Sequence, residues 1–405
     1  MKLKLKEKEI EFNLDSLEPF VVANELKHIE CKVCPDKFQQ ICLQTTYRCN
    51  LACKYCFVNE YSHNIMPDMK IETAVEAIEK YGRKDCGISF FGGEPLLNWD
   101  LMFQVIEKYP NKRFSLTSNL TNLTIEMIEK MKNHGFSFIV SMDGDEKTHN
   151  KSRPHKKEEN SYQMTLENLE LMHEIYGKTL PVTLRATFAK DMDVNILDRI
   201  KHLNTFVEQG IVRHVSVEPA TGSPEFQQEN FTKQDKDFFQ EQYYGIAEYF
   251  LSYFREKGRF PRFHHFNYPI QKTLITGNKK LTECGAAKGY ISIATNGDIY
   301  PCHREETIKI GNIKTGIDTK EQEKWLENRY TSKEKCNKCW CKNFCGGGCR
   351  ANAYIAHKDI QKPSETDCWF FQARIKAVLW LWSNLSKPEK LFLEFLNKKN
   401  VRGGK

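Results

Sequence analysis

Residues 48–57 read RCNLACKYCF. They put Cys49, Cys53 and Cys56 on one short stretch, three residues in the first gap and two in the second. Three thiolates this close can each take one iron of a [4Fe–4S] cluster. The fourth iron is then left without a protein ligand. Such an iron can chelate a small molecule and pass it an electron, whereas a closed four-cysteine site only stores or relays charge. Two plainer readings stand beside this one. A structural zinc site asks for four ligands, and no fourth is near in the sequence. Unligated cysteines are the other.

The cysteines directly follow an apolar run, Ile41–Thr46. Five more runs come after: Ile88–Phe91, Phe114–Thr117, Phe138–Ser141, Val182–Phe188 and His214–Val217. Amphipathic stretches separate them, with Ile71, Ala74, Val75 and Ile78, or Ile125, Ile128 and Met131, at helical spacing. Six strands alternating with helices predict a parallel α/β fold, an open or partial barrel with its chemistry at the C-terminal strand ends. Residues 1–40 form a short N-terminal extension of one or two strands and a helix. Residues 41–276 form the barrel, mainly helical from 232. The polar link Gly277, Asn278, Lys279 and Lys280 opens a cysteine- and glycine-rich domain at 277–370. Residues 371–405 close the chain, with helices expected at about 366–385 and 388–398 and a frayed tail, VRGGK.

Composition agrees. Of 405 residues, 40% are hydrophobic and 12% aromatic, enough for a sizeable core and against a disordered chain. No run approaches the ~20 apolar residues of a membrane span. The opening MKLKLKEKEIEF lacks the apolar region of a secretory signal, so a cytoplasmic protein is expected. Disulfides are rare there, and fifteen cysteines then read as metal ligands. The net charge of +7 is spread over 60 basic and 53 acidic residues. That reads as a solvated surface, not a nucleic-acid footprint. It suits docking of an acidic redox carrier or an acidic peptide.

At the first cysteine cluster the chain resembles the radical S-adenosylmethionine (SAM) superfamily, whose motif is three cysteines so spaced and then an aromatic, here Phe57. FFGGEP, residues 90–95, ends the second strand. The resemblance makes Gly92, Gly93 and Glu94 the methionine-binding turn, where glycines let backbone approach a ligand. SMDGDEKTHNKSRP, residues 141–154, is similar to the family's S-x-D-G…H-x-x-x-R stretch. Ser141 and Arg153 would then contact polar groups of SAM, Arg153 its carboxylate. Tyr55 would approach the adenine through backbone and ring. Asp143 and Arg185 join them on less specific signals. The family often has Asn-Gly after the third strand, and this chain departs from it with Asn119-Leu120. The implied fold is the partial (β/α)6 radical SAM barrel. The implied chemistry is reductive SAM cleavage to methionine and a 5′-deoxyadenosyl radical, which abstracts hydrogen from a substrate.

A second cluster begins at Cys284. Twelve residues separate it from Gly297, and four separate Gly297 from Cys302. Cys336, Cys339, Cys345 and Cys349 follow with gaps of two, five and three, and then Cys368. This order matches the SPASM domain of peptide and sulfatase maturases. The resemblance implies two auxiliary [4Fe–4S] clusters, one on Cys284, Cys302 and Cys349, the other on Cys336, Cys339, Cys345 and Cys368. The first set has three ligands. Sulfatase maturases carry an extra cysteine between the first two, and GAAKGYISIATNGDIYP has none. Either the site is open to a substrate thiolate, or Cys341 or another spare cysteine fills it. After Cys302 those maturases have an aspartate thought to act as base. Here it is His303, which can shuttle a proton near neutral pH or simply bond the backbone.

The implied function is an enzyme that crosslinks a ribosomally made peptide through a thioether or carbon–carbon bond, with flavodoxin or ferredoxin as electron donor. The alternatives are formylglycine formation in a sulfatase and a non-catalytic iron–sulfur scaffold. Cys42 and Cys86 read as buried small hydrophobes. Cys31 and Cys34 could form a redox pair or half a metal site, and a local structural role is favoured. About 40 residues before the first barrel strand are too few for a winged-helix leader-binding domain, although KLKLKEKEIEFNL could pair with a leader as a strand.

Overall fold

A computed structural model describes residues 2–5, 8–11, 36–60, 66–177, 180–190, 195–221, 230–277, 280, 282 and 284–402. Strands β1 (Lys2–Leu5) and β2 (Lys8–Glu11) pair antiparallel. The expected N-terminal helix and the pair Cys31 and Cys34 lie outside the described residues.

The barrel strands are β3 (Phe38–Thr46), β4 (Gly82–Gly92), β5 (Arg113–Ser118), β6 (Gly135–Ser141), β7 (Val182–Phe188) and β8 (His214–Pro219). Each pairs in parallel with the next. The helices between them are α1 (Ile71–Tyr81), α2 (Trp99–Lys108), α3 (Ile125–Lys132), α4 (Glu146–Ser152), α5 (Ser161–Tyr176) and α6 (Ile196–Glu208). They form where an apolar face repeats at helical spacing. In α1 that face is Ala74, Ala77, Ile78 and Tyr81. The Thr124 side chain caps α3 by accepting from Met127 N–H. After β8 come α7 (Asp235–Lys257) and α8 (His264–Pro269).

Strand alternation separates core from lumen. Phe90, Phe114, Phe136 and Phe138 join the helix-side core, Phe90 and Phe114 stacked at 5.9 Å and Phe114 and Phe136 at 5.1 Å. Their alternates Phe91, Thr117, Ile139, Ser141, Arg185 and Glu218 face a central cavity. The lumen thus mixes apolar side chains such as Phe91 and Ile139 with polar ones such as Ser141, Arg185 and Glu218.

The C-terminal region continues the same sheet. It contains β9 (Tyr290–Ile293), β10 (Asp298–Tyr300), β11 (Gly311–Asn312) and β12 (Gly316–Ile317). β9 pairs in parallel with β3, Gln40 opposite Tyr290 and Leu43 opposite Ile293. Among the described residues this gives one ten-stranded sheet, ordered β12-β11-β10-β9-β3-β4-β5-β6-β7-β8. Short helices α9 (Thr319–Leu326), α10 (Glu334–Asn337), α11 (Lys342–Cys345) and α12 (Arg350–His357) follow, then the long α13 (Glu365–Asn384) and α14 (Lys387–Arg402). α13 packs along α7. Among the described residues no helix is long and apolar enough to cross a membrane.

Leu120 sits in the left-handed region at φ 61°, fully buried. This is the position after Asn119 at which the sequence departs from Asn-Gly. Strain there is about 1–3 kcal/mol, while truncating a buried leucine loses about 2–5 kcal/mol. Leu120→Gly should therefore lower stability by about 2 kcal/mol, despite the relieved backbone. Urea unfolding measures it, and a gain in stability would contradict the balance.

Candidate active site

The three-cysteine loop is clamped by the segment after α4. Ala52 N–H donates to Pro154 O at 2.8 Å, Lys54 N–H to Ser152 O at 3.1 Å, and Lys156 N–H to Asn50 O at 3.0 Å. Lys156 Nζ also reaches Cys49 O at 2.9 Å. The two motifs read separately in the sequence thus form one structure.

Asp143 anchors it from beneath. Its carboxylate is fully buried. Oδ1 lies 3.1 Å from Arg153 Nε and accepts from Thr187 N–H at 2.8 Å. Oδ2 accepts from the Tyr55 hydroxyl. Arg153 lies over the Tyr55 ring at 5.2 Å, and its Nη1 is 3.9 Å from Cys53 Sγ. Burial pushes the Cys53 thiol up to about 12, and Arg153 pulls against that. Asp143 does not line the cavity, whereas Tyr55, Ser141, Arg153 and Arg185 do. In this geometry Asp143 holds Arg153 and Tyr55 and has little left to offer a ligand. Arg185 stands opposite Ser141 on the neighbouring strand.

The glycine turn is pinned to the same loop. Gly93 N–H donates to Thr46 O and Glu94 N–H to Arg48 O, both at 2.8 Å. Glu94 lines the cavity, yet its carboxylate is spent on Leu96 N–H, the Ser118 hydroxyl and Asn119 N–H. Burial pushes it up to about 7 against those three bonds. The Asn119 amide donates to Asn50 Oδ1 at 3.1 Å and points to Cys49 Sγ at 3.9 Å. The sequence reading gave Asn119 little weight. The left-handed Leu120 shows that the turn persists without its glycine.

One cavity of about 940 Å³ joins this site to the C-terminal region. Its wall carries Cys49, Cys53 and Cys56, and also Cys284, Cys302 and Cys349. An aromatic series crosses it. Phe57 stacks on Phe91 at 6.2 Å, and Phe91 meets His303 at 4.4 Å. His303 Nδ1 is 2.7 Å from the Tyr290 hydroxyl. Burial, then Arg304 and Arg185, hold the imidazole down at about 3, so it is neutral near pH 7. Arg304 bonds Thr221 and, at 3.0 Å, Asn352 Oδ1.

Cys336, Cys339, Cys345 and Cys368 are off that wall. The chain between Cys345 and Cys349 is Gly346–Gly348, with φ of 76°, 102° and 78°. Three successive positive-φ residues bend the chain here, and Cys349 lines the cavity while Cys345 does not. Only glycine does this without strain. Cys341 packs with Cys339, Phe344, Ile375 and Leu379. Its electrostatic neighbours are Cys345, Cys339, Arg374 and Cys368, and it is off the wall that carries Cys284, Cys302 and Cys349. Buried Cys42 lies against Tyr290, and buried Cys86 lies 3.2 Å from Lys112 Nζ.

Comparison with known proteins decides the family. The Radical SAM superfamily model matches residues 43–193, and the SPASM iron-sulfur cluster-binding domain model matches residues 284–340. The chain is a radical SAM enzyme with a SPASM domain. It is 23% identical over 373 residues to the radical SAM cyclopropyl synthase TigE of Paramaledivibacter caminithermalis, covering 85% of this chain and 74% of that one. It is 23% identical over 335 residues to a cysteine-type anaerobic sulfatase-maturating enzyme of Clostridium perfringens, covering 75% and 86%. Among solved structures, anSMEcpe with bound AdoMet aligns with TM-score 0.67 at 17% identity, over 88% of this chain and 98% of that one. Streptococcus suis SuiB bound to precursor peptide SuiA aligns with TM-score 0.58 at 16% identity, over 82% and 76%. These two likenesses are of fold.

Radical SAM and SPASM domains use [4Fe–4S] clusters and SAM, and the residues here fit them. Among the described residues no three His, Cys, Asp or Glu side chains converge as on a single metal ion. Cys49, Cys53 and Cys56 share the cavity wall, where each thiolate could take a separate iron of a cluster. Burial pushes Cys349 up to about 11 and Cys368 up to about 12. Such thiols ionise when a metal takes up their charge.

A Cβ on Gly93 would stand 2.2 Å from Arg48 O and 2.5 Å from Tyr47 O, both backbone atoms. Gly93→Ala must therefore move the turn. It should weaken SAM binding by at least about tenfold, or 1.4 kcal/mol, with the far-UV circular dichroism unchanged. Equilibrium binding measures this, and wild-type affinity would remove the turn from the SAM site.

Proposed function

We propose that this radical SAM/SPASM enzyme modifies a ribosomally made peptide, closing a thioether or carbon–carbon crosslink. The observation that carries this reading is the single cavity shared by the three-cysteine loop, His303 and the three cysteines Cys284, Cys302 and Cys349. A substrate in that cavity reaches both sites at once. The structural neighbour SuiB, printed as bound to precursor peptide SuiA, supports a peptide substrate. Cys49, Cys53 and Cys56 would hold the SAM-binding cluster, Cys284, Cys302 and Cys349 the first auxiliary cluster, and Cys336, Cys339, Cys345 and Cys368 the second. When bound, SAM and the clusters supply the 5′-deoxyadenosyl radical and take up the electron released as the new bond closes.

The chain's own residues do the rest. Gly92 and Gly93 would admit the methionine part of SAM, and Ser141, Arg153 and Arg185, on the cavity wall, would hold its polar groups. Closing a crosslink at a C–H and an X–H also releases a proton. His303, on the cavity wall, would pass it on without keeping it, since burial and the two arginines hold its imidazole down at about 3. The Tyr290 hydroxyl, 2.7 Å from Nδ1, holds the ring in place and leaves Nε2 free of that contact. A flavodoxin or ferredoxin would supply electrons, drawn to the net positive surface. Formylglycine formation is the second reading, favoured by the likeness to the sulfatase-maturating enzyme. His303 in place of the aspartate speaks against it.

Formation of 5′-deoxyadenosine should depend on a particular peptide and accompany a change in that peptide's mass. His303→Gln should keep SAM cleavage but slow crosslinking by about 10²–10⁴-fold. Liquid chromatography with mass spectrometry reads both. SAM turnover independent of any peptide, with no mass change, would sink the proposal. A formylglycine product in a sulfatase peptide would favour the second reading.

A further inference from the structure

Lys333 precedes Cys336 by three residues and is 4% exposed. Its ammonium donates to Gly347 O at 3.0 Å, inside the glycine run. Its electrostatic neighbours are Cys336, Cys345 and Cys368, with Arg350 the one other cation among them. A lysine is rarely this buried, and burying an ammonium costs several kcal/mol unless negative charge compensates it. Gly347 O offers only a dipole. Burial pulls its pKa below the ordinary lysine value, and Cys336, Cys345 and Cys368 pull it back up, so ionised sulfur at this site is what keeps the ammonium charged.

The same site gathers further positive dipoles. Cys341 N–H donates to Cys339 Sγ at 3.4 Å, and Gln372 Nε2 to the same sulfur at 3.7 Å. Lys335 also stands near Cys336, but its side chain is 63% exposed and paired with Glu365. Solvent screens it. Lys333 is buried from solvent, and among the described residues no carboxylate pairs with it. Net charge nearby and hydrogen bonds to sulfur set the potential of an iron–sulfur centre. A fixed positive charge favours the reduced form, which carries one more electron.

We infer that Lys333 is a positioning residue for electron transfer: its buried ammonium raises the reduction potential of the second auxiliary centre, making that site the electron sink of the chain. This rests on the ligand assignment proposed above for Cys336, Cys339, Cys345 and Cys368. The ammonium acts through space on those thiolates and touches no substrate.

The experiment is a redox titration followed by electron paramagnetic resonance. It uses full-length reconstituted protein carrying Cys49→Ala, Cys53→Ala and Cys56→Ala, which removes the SAM-site signal. The second-site signal is the one that also disappears in Cys339→Ala. Lys333→Gln keeps a donor for Gly347 O and removes the charge. Lys333→Arg keeps the charge. Lys335→Gln is the exposed control. With Lys333→Gln, the reduced-to-oxidised ratio of this centre at fixed potential should fall at least about tenfold, or about 59 mV for one electron. Lys333→Arg and Lys335→Gln should stay near the wild-type value. An unshifted midpoint in Lys333→Gln would overturn the inference. Loss of the centre's iron in Lys333→Gln would overturn it too, because a tuning charge leaves the ligands in place. A second-site signal missing from the parent protein would instead overturn the ligand assignment.

Discussion

The buried contact of Asp143 with Arg153 is the constraint on which the SAM side of the molecule depends. Asp143 sits where β6 ends, fully buried, and satisfies Arg153, the Tyr55 hydroxyl and Thr187 N–H together. Its own carbonyl receives Arg199 from α6, and its N–H lies 3.3 Å from His149 Nδ1. A buried pair of this kind adds little net stability, but breaking it costs about 3–5 kcal/mol because a charge is left stranded. It therefore specifies geometry. Arg153 is fixed over Tyr55 and beside Cys53, and the segment after α4 is fixed across the cysteine loop. A loop of three cysteines has no regular structure of its own to hold it, and these contacts supply the rigidity.

The C-terminal half is attached by a different device. β9 adds to β3 in parallel, on the strand that feeds the three cysteines. The two cysteine regions are thus parts of one sheet, and the cavity between them has a common wall. Within the second region the three left-handed glycines separate Cys345 from Cys349. The result is a series of sites: a loop at the barrel mouth, three cysteines on the cavity wall, and four cysteines behind them, off the wall. On the proposed ligand assignment, that order would place the second auxiliary site farther from the cavity than the first.

Features set by local spacing were legible in the sequence. The six parallel strands, the three-cysteine loop, the glycine turn and the SPASM spacing all follow from residues close together in the chain. Features set by contacts between distant segments were not. The β3–β9 pairing joins residues some 250 positions apart. Asp143 read as a weak ligand candidate, and the fold gives it the anchoring role. Asn119 lost weight because Leu120 replaced a glycine, yet Leu120 accepts the left-handed turn and Asn119 still reaches Cys49. The bond between His303 and Tyr290, and the place of Cys341 among the second set, depend on packing that no spacing shows.

The central claim is that three separate cysteine sets hold three [4Fe–4S] clusters. The most direct measurement is anaerobic iron and sulfide quantitation on reconstituted protein, wild type beside the Cys49→Ala/Cys53→Ala/Cys56→Ala variant. The account predicts about twelve irons per chain, falling to about eight in the variant. About four irons in the wild type, all lost in the variant, would contradict it and leave the C-terminal cysteines with another task.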